Sequence, residues 1–123
     1  MRIAVVGGTG LTGRHVVEAL SGRGHEPVAL ARATGVDLVT GAGLDAALTG
    51  VEAVVDVANV ATQRRSVAVR FFDHAGRNLI AAAERAGVGH LVTLSIVGVD
   101  RVPSPYYAGK LRQEEIVRGG RVP

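Results

Sequence analysis

Residues 2–13 read RIAVVGGTGLTG, an apolar run that passes directly into glycines. A short apolar run of this kind predicts a buried parallel strand over Arg2 to Gly7, and the spacing of Val16, Val17 and Leu20 predicts a helix over Leu11 to Arg23. Gly7, Gly10 and Gly13, which lie three residues apart, are typical of a turn that leaves bare backbone beside a helix N-terminus. Such a terminus favours phosphate, so we predict a nucleotide-binding loop; the alternative is an ordinary strand-to-helix turn.

The same alternation of strand, glycine turn and helix continues along the chain. The further predicted strands are Pro27–Ala31, Val36–Val39, Val51–Val57 and His90–Ser95, and the further predicted helices are Leu44–Leu48, 66–86 and 106–118. A loop containing Pro103 and Pro105 separates the last strand from the last helix. This alternation predicts one Rossmann-like domain over residues 1–123, an α/β fold with a doubly wound parallel sheet of about five strands in the order 3-2-1-4-5. A complete dinucleotide-binding fold has a sixth strand after this point, so we expect a truncated sheet or one completed by another element.

Composition narrows the class of protein further. The 123 residues are 47% hydrophobic, which excludes disorder, and they contain no cysteine, which excludes disulfide and thiolate chemistry. No apolar run approaches the roughly 20 residues of a membrane span, and we expect a cytoplasmic protein without a membrane partner. The net charge of +3 comes from scattered arginines, which do not predict a nucleic-acid surface. The four histidines show no metal-ligand spacing.

Arg32 occupies the position that distinguishes two cofactors. It follows the second predicted strand, 19 residues after Gly13. An acidic residue there would bind the 2′-hydroxyl of NAD, whereas an arginine pairs with the 2′-phosphate of NADP. The sequence therefore favours NADP(H), although a solvent-facing arginine is the alternative in an arginine-rich chain.

A third group of residues suggests proton chemistry. Ser95 ends the fifth predicted strand, and Tyr106 and Lys110 lie four residues apart on one face of the last predicted helix. Lys110 is the only lysine in the chain. We expect its cation to lower the pKa of the Tyr106 phenol and Ser95 to hold a substrate oxygen. Tyr107 is the alternative phenol, and Tyr-x-x-x-Lys also occurs by accident.

Three other polar residues have weaker interpretations. Asn78, in the middle of the long helix, is expected to be buried and bonded to backbone. Asp37 could reach an adenine edge or could belong to a turn. Asp56 is the odd polar residue of an apolar strand, and the sequence suggests no role for it.

Together these residues resemble the short-chain dehydrogenase/reductase superfamily, in its atypical NmrA-like, NAD(P)-binding branch. The matching segments are VVGGTGLTGRHVV, GVEAVVDVAN, GRNLIAAAERAGVGHLVTLSIVG and SPYYAGKLRQEEIV, in that order. The resemblance covers nearly the whole chain and implies a role for each of the following positions. The loop residues Gly7, Thr9, Gly10, Leu11, Thr12 and Gly13 would hold the cofactor phosphates, Arg32, Asp37, Ala58 and Asn59 the adenosine side, and Ser95, Tyr106 and Lys110 would form the reductase site.

The function implied is an NADPH-dependent oxidoreductase that reduces a small carbonyl or quinone-like substrate. Two alternatives remain open, a non-catalytic NAD(P)-binding sensor or regulator and an interaction subunit. The nearly all-apolar strand His90 to Ser95 would form a sheet edge, and bare edges of this kind pair with other chains. We therefore expect a homo-oligomer or a partner chain that completes the sheet.

Overall fold

A computed structural model describes residues 1–60, 62, 64–95 and 104–123. Strands and helices alternate along the chain in the order β1 (Arg2–Val6), α1 (Leu11–Gly22), β2 (Glu26–Leu30), α2 (Leu44–Ala47), β3 (Ala53–Asp56), α3 (Arg65–Ala86), β4 (His90–Thr93) and α4 (Pro105–Gly119). Within these residues the strands form one parallel sheet in the order β2-β1-β3-β4. The Rossmann-like α/β fold is thus confirmed. Most of the loop predicted between the last strand and the last helix, residues 96–103, lies outside the described residues.

The predicted strand Val36–Val39 is wrong, because this segment forms a turn. The backbone N–H of Asp37 donates to the carbonyl of Ala42, its own carbonyl accepts from Gly41, and its carboxylate accepts from the N–H of Val39. Gly41 has φ +82°, a left-handed conformation that a glycine adopts without strain. Local turn chemistry therefore overrides the short apolar run, and the sheet loses its predicted outermost strand without any change in the order of the others.

Packing of α4 against α3 decides where the last helix lies. The apolar residues that recur at helical spacing in α3 form a stripe, of which Phe72, Ala75, Leu79, Ala82 and Ala83 are buried and Ala86 is half-buried. The helix ends at Gly87 with φ +72°. Gly109 of α4 allows a close approach, because a Cβ added there would lie 2.7 Å from the ring of Phe72 and 2.8 Å from the backbone of Ala68. This contact sets α4 so that Lys110 is buried and Tyr106 half-buried beside the sheet.

The topology creates a crevice at the carboxyl ends of β1 and β3. The chain leaves β1 through α1 towards β2, whereas β3 lies on the opposite side of β1. Right-handed crossovers put α1 and α3 on opposite faces of the sheet, and ligands of such folds bind where the strand order reverses. Gly7 and Ala58 meet there: a Cβ added to Gly7 would lie 3.0 Å from the Cα of Ala58.

Candidate functional site

The loop between β1 and α1 is fixed by its own backbone. The N–H of Gly7 donates to the Leu30 carbonyl at 2.8 Å, and the N–H of Gly10 donates to the Gly7 carbonyl at 3.1 Å. The side chain of Arg14 adds a bond from Nε to the carbonyl of Thr9 at 3.0 Å. Hydrogen bonds within the protein therefore hold the shape of the glycine loop.

The fold requires glycine at some positions of this loop and not at others. Gly7 has φ +82°, and a Cβ on Gly13 would lie 2.0 Å from the Gly7 carbonyl oxygen, so both positions are required by the fold. Gly10 is different, since its extended backbone suits any residue and a Cβ there would meet only the Gly7 oxygen, at 3.4 Å. The missing side chain at Gly10 leaves room on the cavity side of the loop, where a ligand can approach bare backbone.

The N-terminus of α1 suits an anion. No side chain caps this terminus, and its first turn contains no acidic residue. The first N–H groups of a helix have no partner within it, and the helix dipole adds partial positive charge at the same end. Leu11 and Thr12 line the adjoining cavity, and Gly13 is buried beneath the loop. The loop and this helix terminus thus fit a diphosphate.

Two cavities meet at this loop, and both are bordered by Gly7, Ala58 and Asn59. The first has a volume of about 480 Å³ and is lined by Gly7, Gly10, Leu11, Thr12, Val57, Ala58, Asn59, Leu94, Ser95, Tyr106 and Lys110. The second has a volume of about 460 Å³ and is lined by Gly7, Thr9, Leu30, Ala31, Arg32, Ala33, Val36, Asp37, Leu38, Val39, Ala58, Asn59, Val60 and Phe71. Two compartments on either side of the glycine loop suit the two halves of a dinucleotide.

The second cavity brings Arg32 and Asp37 together. Arg32 begins a 3-10 turn just after β2. One carboxylate oxygen of Asp37 accepts a hydrogen bond from the N–H of Val39, within the turn that replaces the expected strand. Asn78 of α3 donates from Nδ2 to the carbonyls of Leu38 and Val39 at 2.8 and 2.9 Å, which ties this cavity wall to the helix. The bonding expected for Asn78 is confirmed, but its side chain is half-buried where the sequence predicted a buried one. The polar groups of this wall are thereby held in place.

Tyr106 is the phenol that lines the first cavity among the described residues. Its hydroxyl donates to Oδ1 of Asn59 at 2.5 Å, and the same oxygen accepts from the N–H of Val60. Burial raises the pKa of the Tyr106 phenol, opposite to the lowering expected from the sequence. Tyr107 packs edge to face against the ring of Tyr106.

Lys110 makes its hydrogen bonds away from the phenol of Tyr106. The Lys110 ammonium is buried, and Nζ donates to the Leu94 carbonyl at 2.7 Å and to Oε1 of Gln113 at 2.5 Å. It also lies 4.8 Å from the centroid of the Phe72 ring. Burial lowers the pKa of Lys110, and the nearby carboxylates of Asp56 and Glu114 oppose that effect. Its hydrogen bonds are therefore directed to these interior groups.

Ser95 lines the first cavity, and its hydroxyl already donates a hydrogen bond within the protein. Its hydroxyl donates to Oε2 of Glu114 at 2.5 Å, and the other oxygen of that carboxylate pairs with Arg118 at 3.0 Å. Sequence analysis missed Glu114 and Gln113. The one available signal was their spacing from Lys110, since residues three and four apart share a helix face. Ser95, Tyr106 and Lys110 thus share one cavity, and each is held by a partner within the protein.

The fold, the ordered glycine loop and the paired cavities define a dinucleotide-binding protein, and comparisons agree. Residues 7–122 match the model of the family described as NAD(P)H-binding, so the chain belongs to that family. It is 35% identical over 118 residues to the photosystem II assembly factor Ycf39 of Synechocystis sp., covering 84% of this chain and 36% of that protein. It is 36% identical over 135 residues to the (4-alkanoyl-5-oxo-2,5-dihydrofuran-3-yl)methyl phosphate reductase of Streptomyces griseus, covering 98% of this chain and 44% of that protein.

Solved structures place the chain in the short-chain dehydrogenase/reductase superfamily, as the resemblance predicted. A superfamily member from Agrobacterium tumefaciens, solved with bound NAD, superposes with a TM-score of 0.81 at 27% identity, over 99% of this chain and 47% of that one. The chain thus spans less than half the length of these relatives and corresponds to a fragment of the usual fold. Among the described residues, none of the helices has the length and apolar character needed to cross a membrane.

Proposed function

We propose that this chain forms the cofactor-binding part of an NAD(P)H-dependent oxidoreductase that reduces a small carbonyl or quinone-like substrate. The observation that carries the proposal is the shared cavity: residues from the glycine loop, from the segment after β3, from the end of β4 and from α4 all line one volume of about 480 Å³. The Streptomyces griseus relative is itself named a reductase.

The described residues divide the cofactor between the two cavities. The loop from Gly7 to Gly13 and the N-terminus of α1 would hold the diphosphate, and Arg32 and Asp37 would face the adenosine half. Lys110 and Tyr106 would face the nicotinamide half. When bound, the cofactor supplies a hydride.

Tyr106 is suited to supply the proton that a reduced carbonyl oxygen requires. Its phenol carries the proton at neutral pH, although burial raises the pKa and so makes the phenol a weaker acid than it is in water. Asn59 accepts that proton in a hydrogen bond and holds the hydroxyl towards the cavity. To donate to a substrate oxygen, Tyr106 exchanges its bond to Asn59, and Ser95 exchanges its bond to Glu114. Each exchange turns one hydroxyl hydrogen from its present acceptor towards the substrate oxygen.

Loss of NADPH absorbance in the presence of a panel of small carbonyls and quinones tests this function. The same protein is titrated with NADPH alone, with fluorescence as the measure of binding. Binding with turnover supports the oxidoreductase. Binding without turnover supports a sensor, the alternative favoured by the internal bonds that occupy the hydroxyls of Ser95 and Tyr106. Neither binding nor turnover supports an interaction subunit.

We further propose that NADPH is preferred to NADH, because Arg32 borders the second cavity and can pair with a 2′-phosphate. Arg32→Ala is expected to cost about 1.5–3 kcal/mol in NADPH affinity, and little in NADH affinity. Calorimetric titration with both cofactors measures the difference. Arg23→Ala, which removes an exposed arginine at the C-terminus of α1, is the charge-matched control. Equal affinities of the unmodified protein for the two cofactors would refute the preference.

Two finer assignments stay predictions, membership of the NmrA-like branch and a cytoplasmic location.

A third prediction is self-association through the outer edge of β4. Val92 and Leu94 are 60% and 50% exposed beside that edge, although the N–H of Leu91 already donates to the carbonyl of Pro123 at 2.9 Å. We expect light scattering at micromolar concentration to give about twice the chain mass of 12.7 kDa. We expect Val92→Glu to lower the mass measured by light scattering towards that of one chain. A stable monomer with slowly exchanging amides along residues 90–95 would contradict association.

A further inference from the structure

A line of buried polar groups connects the sheet to Lys110. Asp56 ends β3 and is 4% exposed, Gln113 of α4 is 1% exposed, and Lys110 is 4% exposed. Nε2 of Gln113 donates to Oδ2 of Asp56 at 3.2 Å, and Oε1 of Gln113 accepts from Nζ of Lys110 at 2.5 Å. Buried polar groups are costly unless they are paired, and here each one bonds to the next.

Charge fixes the orientation of the Gln113 amide. An ionised carboxylate can only accept hydrogen bonds and an ammonium can only donate them, so the NH2 group must face Asp56 and the carbonyl must face Lys110. The carboxylate is itself held, because its Oδ1 accepts from the N–H of Ala58 at 3.0 Å. The Lys110 ammonium and the Asp56 carboxylate thus bind the two ends of one buried amide.

We propose that Asp56 is a positioning residue that acts through Gln113 to hold the Lys110 ammonium at the cavity wall, and that protonation of Asp56 releases it. A protonated Asp56 donates a hydrogen bond, so the amide turns its carbonyl to Asp56 and its NH2 group to Lys110. The NH2 group of Gln113 and the Lys110 ammonium, which are both donors, then face each other. Lys110 keeps only its hydrogen bond to the Leu94 carbonyl. The consequence for catalysis rests on the proposed function, since it requires that Lys110 serve the cofactor cavity.

The surroundings of Asp56 place this change in an accessible pH range. Burial raises the pKa of its carboxyl to about 6, against the opposing effects of the Ala58 N–H, Lys110 and Gln113. Its register neighbours on β1 and β4 are Val6 and Thr93, which do not titrate. Asp56 is therefore ionised at pH 7.5 and mostly protonated at pH 5.

The charged groups around Lys110 leave Asp56 as the one expected to act as the switch. From α4 itself comes Glu114, whose carboxylate already bonds to Ser95 and to Arg118. From α3 comes the ring of Phe72, and from the end of β4 the carbonyl of Leu94. Tyr106 lies one helical turn before Lys110, and its raised pKa keeps it neutral throughout this range.

The single lysine of the chain makes a direct test possible. Protein labelled with 15N at the lysine Nζ has one side-chain resonance, and it is followed from pH 5 to pH 8 without cofactor or substrate. We expect a shift with its midpoint near pH 6 in the unmodified protein and no such shift in Asp56→Asn or Gln113→Met. Asp45→Asn, which removes a largely exposed carboxylate paired with Arg85, should keep the shift.

A resonance that does not change over this range in the unmodified protein overturns the proposal, as does an unchanged midpoint in Asp56→Asn. If circular dichroism shows that Gln113→Met does not fold, the comparison of the unmodified protein with Asp56→Asn still tests the proposal. Turnover provides the second readout: loss of the acid limb of the pH profile in Asp56→Asn supports the proposal. A lysine transition in a protein that neither binds nor oxidises NADPH supports this proposal while the proposed function fails.

Discussion

Gly10→Val is expected to raise the dissociation constant for NADPH by roughly 100-fold or more while the protein stays folded. The extended backbone at Gly10 accepts a β-branched residue, and the nearest atom to an added Cβ is the Gly7 oxygen at 3.4 Å. The side chain would instead occupy the space beside the loop in the first cavity, where a diphosphate must approach the backbone. Fluorescence titration measures binding, and thermal unfolding by circular dichroism measures the fold.

Two further glycine variants show whether this effect is local. Gly22→Ala, at the last position of α1, has open space around the new Cβ, so it should leave NADPH binding unchanged and should not lower the unfolding midpoint. Gly13→Ala should instead lower the unfolding midpoint, because its Cβ would lie 2.0 Å from the Gly7 oxygen and overpacking costs about 1–3 kcal/mol. If folded Gly10→Val bound NADPH normally, the loop would be a structural turn with no role in cofactor binding.

Tyr106→Phe is expected to lower turnover by roughly 100-fold or more, with NADPH affinity changed by about twofold at most. The substitution removes the proton donor and its bond to Asn59, but it keeps the ring, which packs edge to face against Phe72 at 5.8 Å. Asn59 retains its bond from the N–H of Val60. Steady-state kinetics with the best substrate of the panel gives kcat, and titration gives the affinity.

Tyr107→Phe is the matched control for that experiment, since it removes a hydroxyl from the adjacent ring. Its turnover should stay close to that of the unmodified protein. If Tyr107→Phe were the damaging substitution, the proton donor would lie one residue further along α4 than the cavity lining indicates.

The parts of the fold that local pattern determines were predicted from the sequence. The apolar runs of β1 and β3, the glycines after β1 and the stripe of α3 each indicate their structure within a few residues. The segment 36–39 was predicted wrongly because its short apolar run competes with a turn built by Asp37 and Gly41. Periodicity alone does not reveal which of the two is stronger.

The sequence indicated that Tyr106 and Lys110 lie together, but not their hydrogen bonds or the direction of their pKa shifts. The spacing of Tyr106 and Lys110 predicts one helix face, but not that Lys110 bonds to Gln113 while burial raises the pKa of the phenol. That outcome depends on where β3 and β4 lie beside α4. Asp56 did carry a signal, as a carboxylate in an apolar strand, but its partner Gln113 is 57 positions away in sequence.

Calorimetric titration of NADPH into the unmodified chain tests the account most directly. The paired cavities on either side of one glycine loop predict saturable binding of one NADPH per chain, and Gly10→Val should weaken that binding as stated above. A folded protein that takes up no NADPH at millimolar concentration would contradict the account, because the loop, the helix terminus and the two cavities would then serve some other ligand or none.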